Sequence, residues 1–305
     1  MKIRIGTRGS HLARTQATTV AGELAELGHE AELVIISTAG DQSSAPSFGA
    51  IGPTGVFVRE IEQALLEETV DIAVHSFKDL PTESPPELKL AAIPRREDAA
   101  DALVMTSEAA SETVGSIPIR NGARVGTASA RRQAWLKHLR PDLIVEPIRG
   151  NVPTRIGRLH EGFDGIVLAA AGLDRLQNSK LDDAPELGLD DRIVARLDPA
   201  VFIPAPAQGA LALQCRAADR DIVNALSILA HSTTQLSVAV ERALLARVEG
   251  GCDLAFGAWC HEDSKLDGSL ELIAMLEHDG ELVAARSHGK DPRALVTMAW
   301  EELQS

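Results

Sequence analysis

Two distant stretches of the chain carry one design. Ile3-Arg4-Ile5-Gly6-Thr7-Arg8-Gly9-Ser10 leads into a helical run through Leu12, Ala13, Gln16 and Val20. Ala123-Arg124-Val125-Gly126-Thr127-Ala128-Ser129-Ala130-Arg131-Arg132 leads into Ala134, Trp135, Leu136 and Leu139. Each reads as a strand, a Gly-Thr turn carrying a small hydroxyl residue, and a helix. Such a turn builds an anion site: N–H groups of the helix's first turn point at it, the dipole adds partial positive charge, and hydroxyls donate further bonds. A single one is commonly no more than a helix cap. Two, each with arginine alongside, point to two α/β halves that each present an anion-binding edge.

A second echo supports the pairing. Val70-Asp71-Ile72-Ala73-Val74-His75-Ser76 and Phe163-Asp164-Gly165-Ile166-Val167-Leu168-Ala169 are short apolar runs entered through Asp. Each follows an amphipathic helix, expected over 56–68 in the first case and 154–159 in the second. Runs of this kind suit strands buried on both faces of a mainly parallel sheet. The expected fold is therefore α/β, with two doubly wound domains around a shared cleft and a small α+β domain at the C-terminus. The first domain takes residues 1–97 and 199–216, the second 98–198, and the third 217–305, with the Pro-rich stretch 199–206 carrying the chain back to the first. In the third, 233–248 is a long helix candidate ending at Gly250-Gly251-Cys252. Segments 269–276 and 281–287 flank His278-Asp279-Gly280, a hairpin signal. Asp291 and Pro292 cap and start a closing helix through Leu303. The acidic stretch 182–191 is expected as a surface excursion.

Composition excludes several classes of function. The net charge is −14, from 30 basic and 44 acidic residues, which disfavours nucleic acid and anionic lipid. With three Trp, six Phe and no Tyr, the chain lacks aromatic platforms for base stacking. No apolar run approaches the ~18 residues of a membrane span. The alternating start reads as a first strand, not a secretory signal, so the expected location is the cytoplasm. Cys215, Cys252 and Cys260 are an odd set without CxxC spacing, which argues against a disulfide framework or a structural zinc site. No metal site is expected. Against the acidic background, Arg120–His160 holds nine basic side chains and two acidic ones. Arginine predominates, and its planar fork grips carboxylates and phosphates in pairs.

The stretch with most chemistry is Asp71–Thr82. Here a buried strand ends in Ser76-Phe77-Lys78-Asp79 at the sheet edge where open α/β sheets bind ligands. Lys78 can hold an anion, and Asp79 can exchange protons or stabilise a developing cation. The alternative is that Asp79 caps a turn before Pro81 while His75 fills the core. Cys252 follows Glu249-Gly250-Gly251, whose glycines leave the thiol sterically open. Cys215 and Cys260 suit small buried positions.

Five motifs occurring in order now carry a family resemblance. They are Ile5–Ser10, Val74–Pro81, Val125–Arg132, Ile148–Arg155 and Glu249–Cys252, joined by Ala169–Leu176 and Pro204–Leu211. Together they resemble the porphobilinogen deaminase (hydroxymethylbilane synthase) family over essentially the whole chain. The resemblance implies two domains similar to the lobes of periplasmic binding proteins, and a third carrying the cofactor. It implies a transferase of haem and porphyrin biosynthesis. Four porphobilinogen molecules would be joined head to tail into the linear tetrapyrrole hydroxymethylbilane, losing ammonia at each step. A dipyrromethane cofactor would be held by a thioether to Cys252, and Asp79 would be catalytic. Lys78, Ser76, Arg131, Arg132, Thr127, Ser129 and Gly150 would serve the cofactor. Arg8, Ser10, Gln16, Arg149, Arg155 and Arg175 would serve the substrate. Each added unit brings an acetate and a propionate, which accounts for so many cations. The family also suggests a monomer. Arg124, Arg140 and Arg158 read as surface charges.

The sequence departs from the family's pattern in places. Ala50 and Thr54 stand in the 42–55 loop where relatives carry lysine, Ala207 stands where glycine is common, and Ala255 where proline is common. A non-catalytic receptor for polycarboxylates would use the same arginines, but would need neither Cys252 nor the Lys78-Asp79 pair.

Overall fold

The computed structural model describes residues 1–37, 58–111, 116–248, 255–263 and 268–305. The first sheet is built from β1 (Lys2–Arg8), β2 (Glu30–Ile36), β3 (Ile72–Ser76), β4 (Leu88–Ala92) and β10 (Leu211–Arg216), in the order β2-β1-β3-β10-β4. Helices α1 (His11–Glu26), α2 (Arg59–Leu66) and α6 (Arg220–Ser227) accompany it. The second contains β5 (Asp101–Thr106), β6 (Arg124–Gly126), β7 (Ile144–Glu146), β8 (Gly165–Ala169) and β9 (Arg192–Arg196), in the order β7-β6-β8-β5-β9. With it go α3 (Ala130–Leu139), α4 (Val152–Gly157) and α5 (Ala170–Gln177). The two orders repeat one pattern. β1 pairs parallel with β2 and β3, as β6 does with β7 and β8. The expectation of mainly parallel sheets needs correcting, because β10 and β5 each run antiparallel to both neighbours. In each sheet one reversed strand converts half of the ladder.

Burial on both faces follows from the period-2 alternation of strand side chains. Ile72 and Val74 of β3 face a core with Val20 and Leu24 of α1, while Ala73 faces Ile61 and Leu65 of α2. In β5, Leu103 and Met105 pack with Trp135 and Leu136 of α3, and Ala102 and Val104 pack with Ile156 and Leu173. These strands are apolar on both sides because each side meets a helix layer. Gly6 and Thr7 lie inside β1, so the turn falls at Gly9-Ser10. Gly6 and Gly126 occupy matching strand positions where an added Cβ would sit 3.1 Å from neighbouring side chains. Their role is close packing.

A three-stranded antiparallel sheet follows, with β11 (Phe256–Glu262), β12 (Leu270–His278) and β13 (Glu281–Gly289) in that order. Asp279 and Gly280, both at positive φ, make the hairpin turn between β12 and β13. β12 again divides by parity: Ile273 and Met275 join the Trp135 core, whereas Leu272, Ala274 and Leu276 pack with α7 (Ser232–Arg247) and α8 (Pro292–Leu303). Asp291 caps α8 by accepting from the Arg293 N–H, with Pro292 as its first residue. The chain forms two compact units. One comprises Met1–Glu97, Asn178–Ala184 and Ala210–Gln235; the other comprises Asp98–Gln177, Pro185–Gly209 and Leu236–Ser305. Among the described residues no helix is long and apolar enough to cross a membrane.

Two departures from expectation are local. Arg140 is no surface charge: it is buried, its Nη1 donating to the carbonyls of Ile117 (2.9 Å) and Ile119 (3.0 Å) and its Nε to Asp142 (2.8 Å). Guanidinium, with five fixed donors, suits a turn with several orphan carbonyls. Ala207 is fully buried with φ at +59°, in the left-handed region that favours glycine, and its N–H donates to Glu241 Oε2 at 2.6 Å. The left-handed conformation costs an L-residue about 1–2 kcal/mol, and glycine gives back about 0.4–1 kcal/mol through unfolded-chain entropy. The buried methyl that glycine gives up is worth about 0.8 kcal/mol more, so Ala207→Gly is expected to leave stability within about 0.5 kcal/mol of wild type. A shift of the unfolding free energy by more than about 1 kcal/mol in either direction would contradict this.

Candidate active site

In the first unit, α1 starts one residue after Ser10, whose Oγ accepts from the Ala13 N–H at 3.3 Å. The first turn of α1 holds no acidic residue, so its dipole is left for an outside anion. Beside it β3 ends at Ser76 and tightens into a 3-10 turn, Phe77–Asp79, pinned by buried Phe77, whose N–H donates to the Ala210 carbonyl at 3.0 Å. The result is a cleft of about 100 Å³ lined by Arg8, Ser10, Gln16, His75, Ser76 and Asp79. Gln16 is buried and reaches Ser76 Oγ through Nε2 at 2.9 Å. Asp79 is exposed, and its carboxylate makes no hydrogen bond or ion pair among the described residues. It does not act as a turn cap. Lys78 is half-buried in the same turn and is not among the residues lining the cleft.

The second unit repeats the cap and changes the charge. Ser129 caps α3 by accepting from the Arg132 N–H at 3.5 Å, and buried Thr127 accepts from the Ser129 N–H at 3.3 Å. Again no acidic residue stands in the first turn, which instead contains Arg131 and Arg132. Two cations at the positive end of a helix repel it, and Asp101 at the start of β5 resolves the conflict. Its Oδ2 lies 2.8 Å from Arg131 Nη1; its Oδ1 accepts from Arg132 Nε at 3.0 Å and Nη2 at 2.7 Å. Gln208 adds a further donor to Oδ1 at 3.0 Å. Burial pushes the Asp101 carboxyl up, but the two guanidinium groups prevail and hold it at about 2. Arg131 and Arg132 are thus anchored inside the unit, with further bonds to the carbonyls of Ile203 and Val167.

Arg155 carries its charge with no carboxylate partner among the described residues. Its Nε donates to the Gly150 carbonyl at 2.7 Å, and burial followed by repulsion from Arg132 lowers its pKa. Arg149 is exposed and makes no ion pair among the described residues. Gly150 has φ +116°, and a Cβ there would lie 2.7 Å from Thr154 Cγ2, so only glycine gives this turn. Arg175 on α5 donates through Nη2 to the Gly209 carbonyl at 2.7 Å. Cys252 and the 42–55 loop with Ala50 and Thr54 lie outside the described residues. Cys215 and Cys260 are buried. Arg124 is half-exposed, pairing with Glu146 and lying over the Phe163 ring, and Arg158 is half-exposed near Glu161.

Sequence reasoning missed Asp101. The signal was a lone acid inside Ala99-Ala100-Asp101-Ala102-Leu103-Val104, since a buried carboxylate demands cationic partners. It also missed Glu62 and Gln214, which bond to each other, Gln214 bonding His75 as well; nothing in their local sequence marks them.

Fold and site define an α/β protein with an uncommitted carboxylate in one unit and surplus arginine charge in the other, suited to chemistry on a polyanion. A family model described as "Porphobilinogen deaminase, dipyromethane cofactor binding domain" matches residues 3–224. A protein named porphobilinogen deaminase from Corynebacterium efficiens is 40% identical over 99% of this chain and 97% of its own length. One of the same name from Mycobacteroides abscessus is 47% identical over 84% of this chain and 78% of its own. The solved Bordetella pertussis BvgS periplasmic VFT2 domain aligns at 12% identity and TM-score 0.41, over 75% of this chain and 86% of that one. The chain belongs to the porphobilinogen deaminase family, whose members are hydroxymethylbilane synthases with a dipyrromethane-binding domain.

Proposed function

We propose that this chain joins four porphobilinogen molecules head to tail into hydroxymethylbilane, releasing one ammonia at each step. The observation that carries the reading is the Asp79 carboxylate, uncommitted among the described residues in a cleft with Arg8, Ser10 and Gln16. Each step breaks the bond between the methylene carbon and the amine nitrogen, which leaves with its electron pair and its protons. Positive charge then spreads over methylene and pyrrole. A fixed carboxylate stabilises that charge as it develops, and can take the proton lost when a neighbouring pyrrole carbon forms the new C–C bond. Arg8 and the α1 N-terminus suit the carboxylates of the incoming unit, with Ser76 held toward the cleft by Gln16.

The dipyrromethane, when attached, supplies the pyrrole carbon to which the first unit is added. The donor set of the second unit fits such a group: among the described residues Asp101 is the one carboxylate paired with Arg131 and Arg132, and Arg155, repelled by Arg132, has no carboxylate partner. We assign Arg131, Arg132, Thr127, Ser129 and Gly150 to its surroundings with Lys78, and Arg149, Arg155 and Arg175 to carboxylates of the lengthening chain. Cys252 is assigned as the attachment point. We further assign a monomer working in the cytoplasm, without nucleic-acid or membrane partners.

The test is the intact mass. Purified protein is expected to be heavier than its sequence by two linked pyrroles on a peptide containing Cys252, and Cys252→Ser to have the bare mass. An unmodified wild type that still binds polycarboxylates would instead indicate a receptor.

A further inference from the structure

Glu62, Gln214 and His75 form a buried chain of hydrogen bonds that the reaction above leaves unused. Glu62 lies on α2, Gln214 on β10 and His75 on β3, all within the first unit. A carboxylate oxygen that accepts a hydrogen bond from an amide fixes which end of the Gln214 amide faces it. Gln214 Nε2 donates to Glu62 Oε1 at 3.0 Å. Gln214 Oε1 is thereby turned toward His75 Nε2, also at 3.0 Å. An amide oxygen is an acceptor as well, so Nε2 must carry the proton. Burial pulls the His75 pKa down to about 4, so at neutral pH the ring holds one proton. That leaves Nδ1 with a lone pair. It makes no hydrogen bond among the described residues, and His75 lines the cleft beside Ser76 and Asp79.

We propose that the Glu62–Gln214 pair locks His75 as its Nε2–H tautomer, so that Nδ1 accepts a hydrogen bond from an N–H group of the substrate bound beside Asp79. The inference rests on the proposed reaction, whose substrate carries both amine and pyrrole N–H donors. The cleft is furnished with donors for carboxylates: Arg8, the hydroxyl of Ser10 and the α1 N-terminus. Substrate N–H groups need acceptors there too. A second carboxylate would repel the acetate and propionate at this range. A neutral ring nitrogen accepts without adding charge, and keeping it neutral and correctly protonated is what the buried pair does.

Nitrogen NMR of histidine-labelled protein, in its purified cofactor-bearing form at pH 7, reads the lock directly. His75 is expected to show a protonated Nε2 and a bare Nδ1, and Glu62→Gln to give a mixture of tautomers as the amide is freed to turn. Activity supplies the second arm. His75→Gln keeps a polar group near the Nε2 position but none at Nδ1, and kcat/KM for porphobilinogen is expected to fall at least about tenfold, the worth of one hydrogen bond to a charged or strongly polar group. His75→Asn, whose oxygen can stand near Nδ1, should recover most of that loss, which a purely structural role would not predict. An Nδ1–H tautomer in the wild type overturns the inference even if neither variant folds. A His75→Gln protein as active as wild type overturns it as well. A wild type that consumes no porphobilinogen defeats the proposed reaction and the ligand named here; a working wild type with unimpaired His75→Gln defeats this inference alone.

Discussion

Asp79→Asn is expected to retain the mass of the modified protein and to lower turnover of porphobilinogen by about 10³-fold. Asparagine is nearly isosteric with aspartate, and the native carboxylate makes no hydrogen bond or ion pair among the described residues. The substitution therefore breaks no contact that holds Phe77–Asp79 in place; that turn is fixed by Phe77 and its bond to Ala210. What is lost is a negative charge facing a centre that becomes positive as ammonia departs. Removing one preorganised electrostatic group or one general acid-base typically costs about 10²–10⁴ in rate. The unfolding midpoint should stay within about 0.5 kcal/mol of wild type, as for an exposed site without partners. Single-turnover assays on the cofactor-bearing variant check the prediction. Turnover within about tenfold of wild type would remove Asp79 from the chemistry.

The legible parts of this fold are those fixed by short-range rules. Apolar runs entered through Asp71 and Asp164 are strands because residues of both parities meet a helix layer. Asp291-Pro292 and Asp279-Gly280 announce a helix start and a hairpin through local backbone preferences. Ser10 and Ser129 cap their helices for the same reason. Strand direction was not legible in this way. β10 comes from residues 211–216 and pairs with β3 and β4 far earlier in the chain, and no local pattern encodes the sense of such a pairing. The site divides along the same line. Asp79, Arg8 and Ser10 stand at strand ends and turns that sequence punctuation marks. Asp101 and Glu62 matter through partners about 30 and 150 residues away, Arg131 and Gln214, so their roles appear once the chain is folded. Arg140 shows the converse error, since a charge near other charges looks solvated until the carbonyls of Ile117 and Ile119 are seen to enclose it.

Asp101→Asn should be the most destabilising single polar change in the second unit. Arg131 and Arg132 are 4% and 6% exposed, and Asp101 is fully buried between them. Replacing the carboxylate by an amide leaves two guanidinium groups out of water with no counter-charge, in the first turn of a helix whose dipole already opposes them. Breaking a buried ion pair from one side costs about 3–5 kcal/mol. The pH dependence of the wild type gives an independent reading. The folded carboxyl, held at about 2, lies below its ordinary value near 4, so its stabilising contribution is complete above about pH 5 and is lost as pH falls through about 2. That depression corresponds to roughly 2–3 kcal/mol. It is smaller than the substitution's cost because protonation keeps the acceptor oxygens in place. Denaturant titrations followed by circular dichroism at pH 7 check the first figure; at pH 3, where a carboxyl held at about 2 is still mostly ionised, about half of the second should already be lost. The variant should start lower and lose less than wild type over that interval. Equal stability of the two proteins at pH 7 would mean that Asp101 does not hold the arginines.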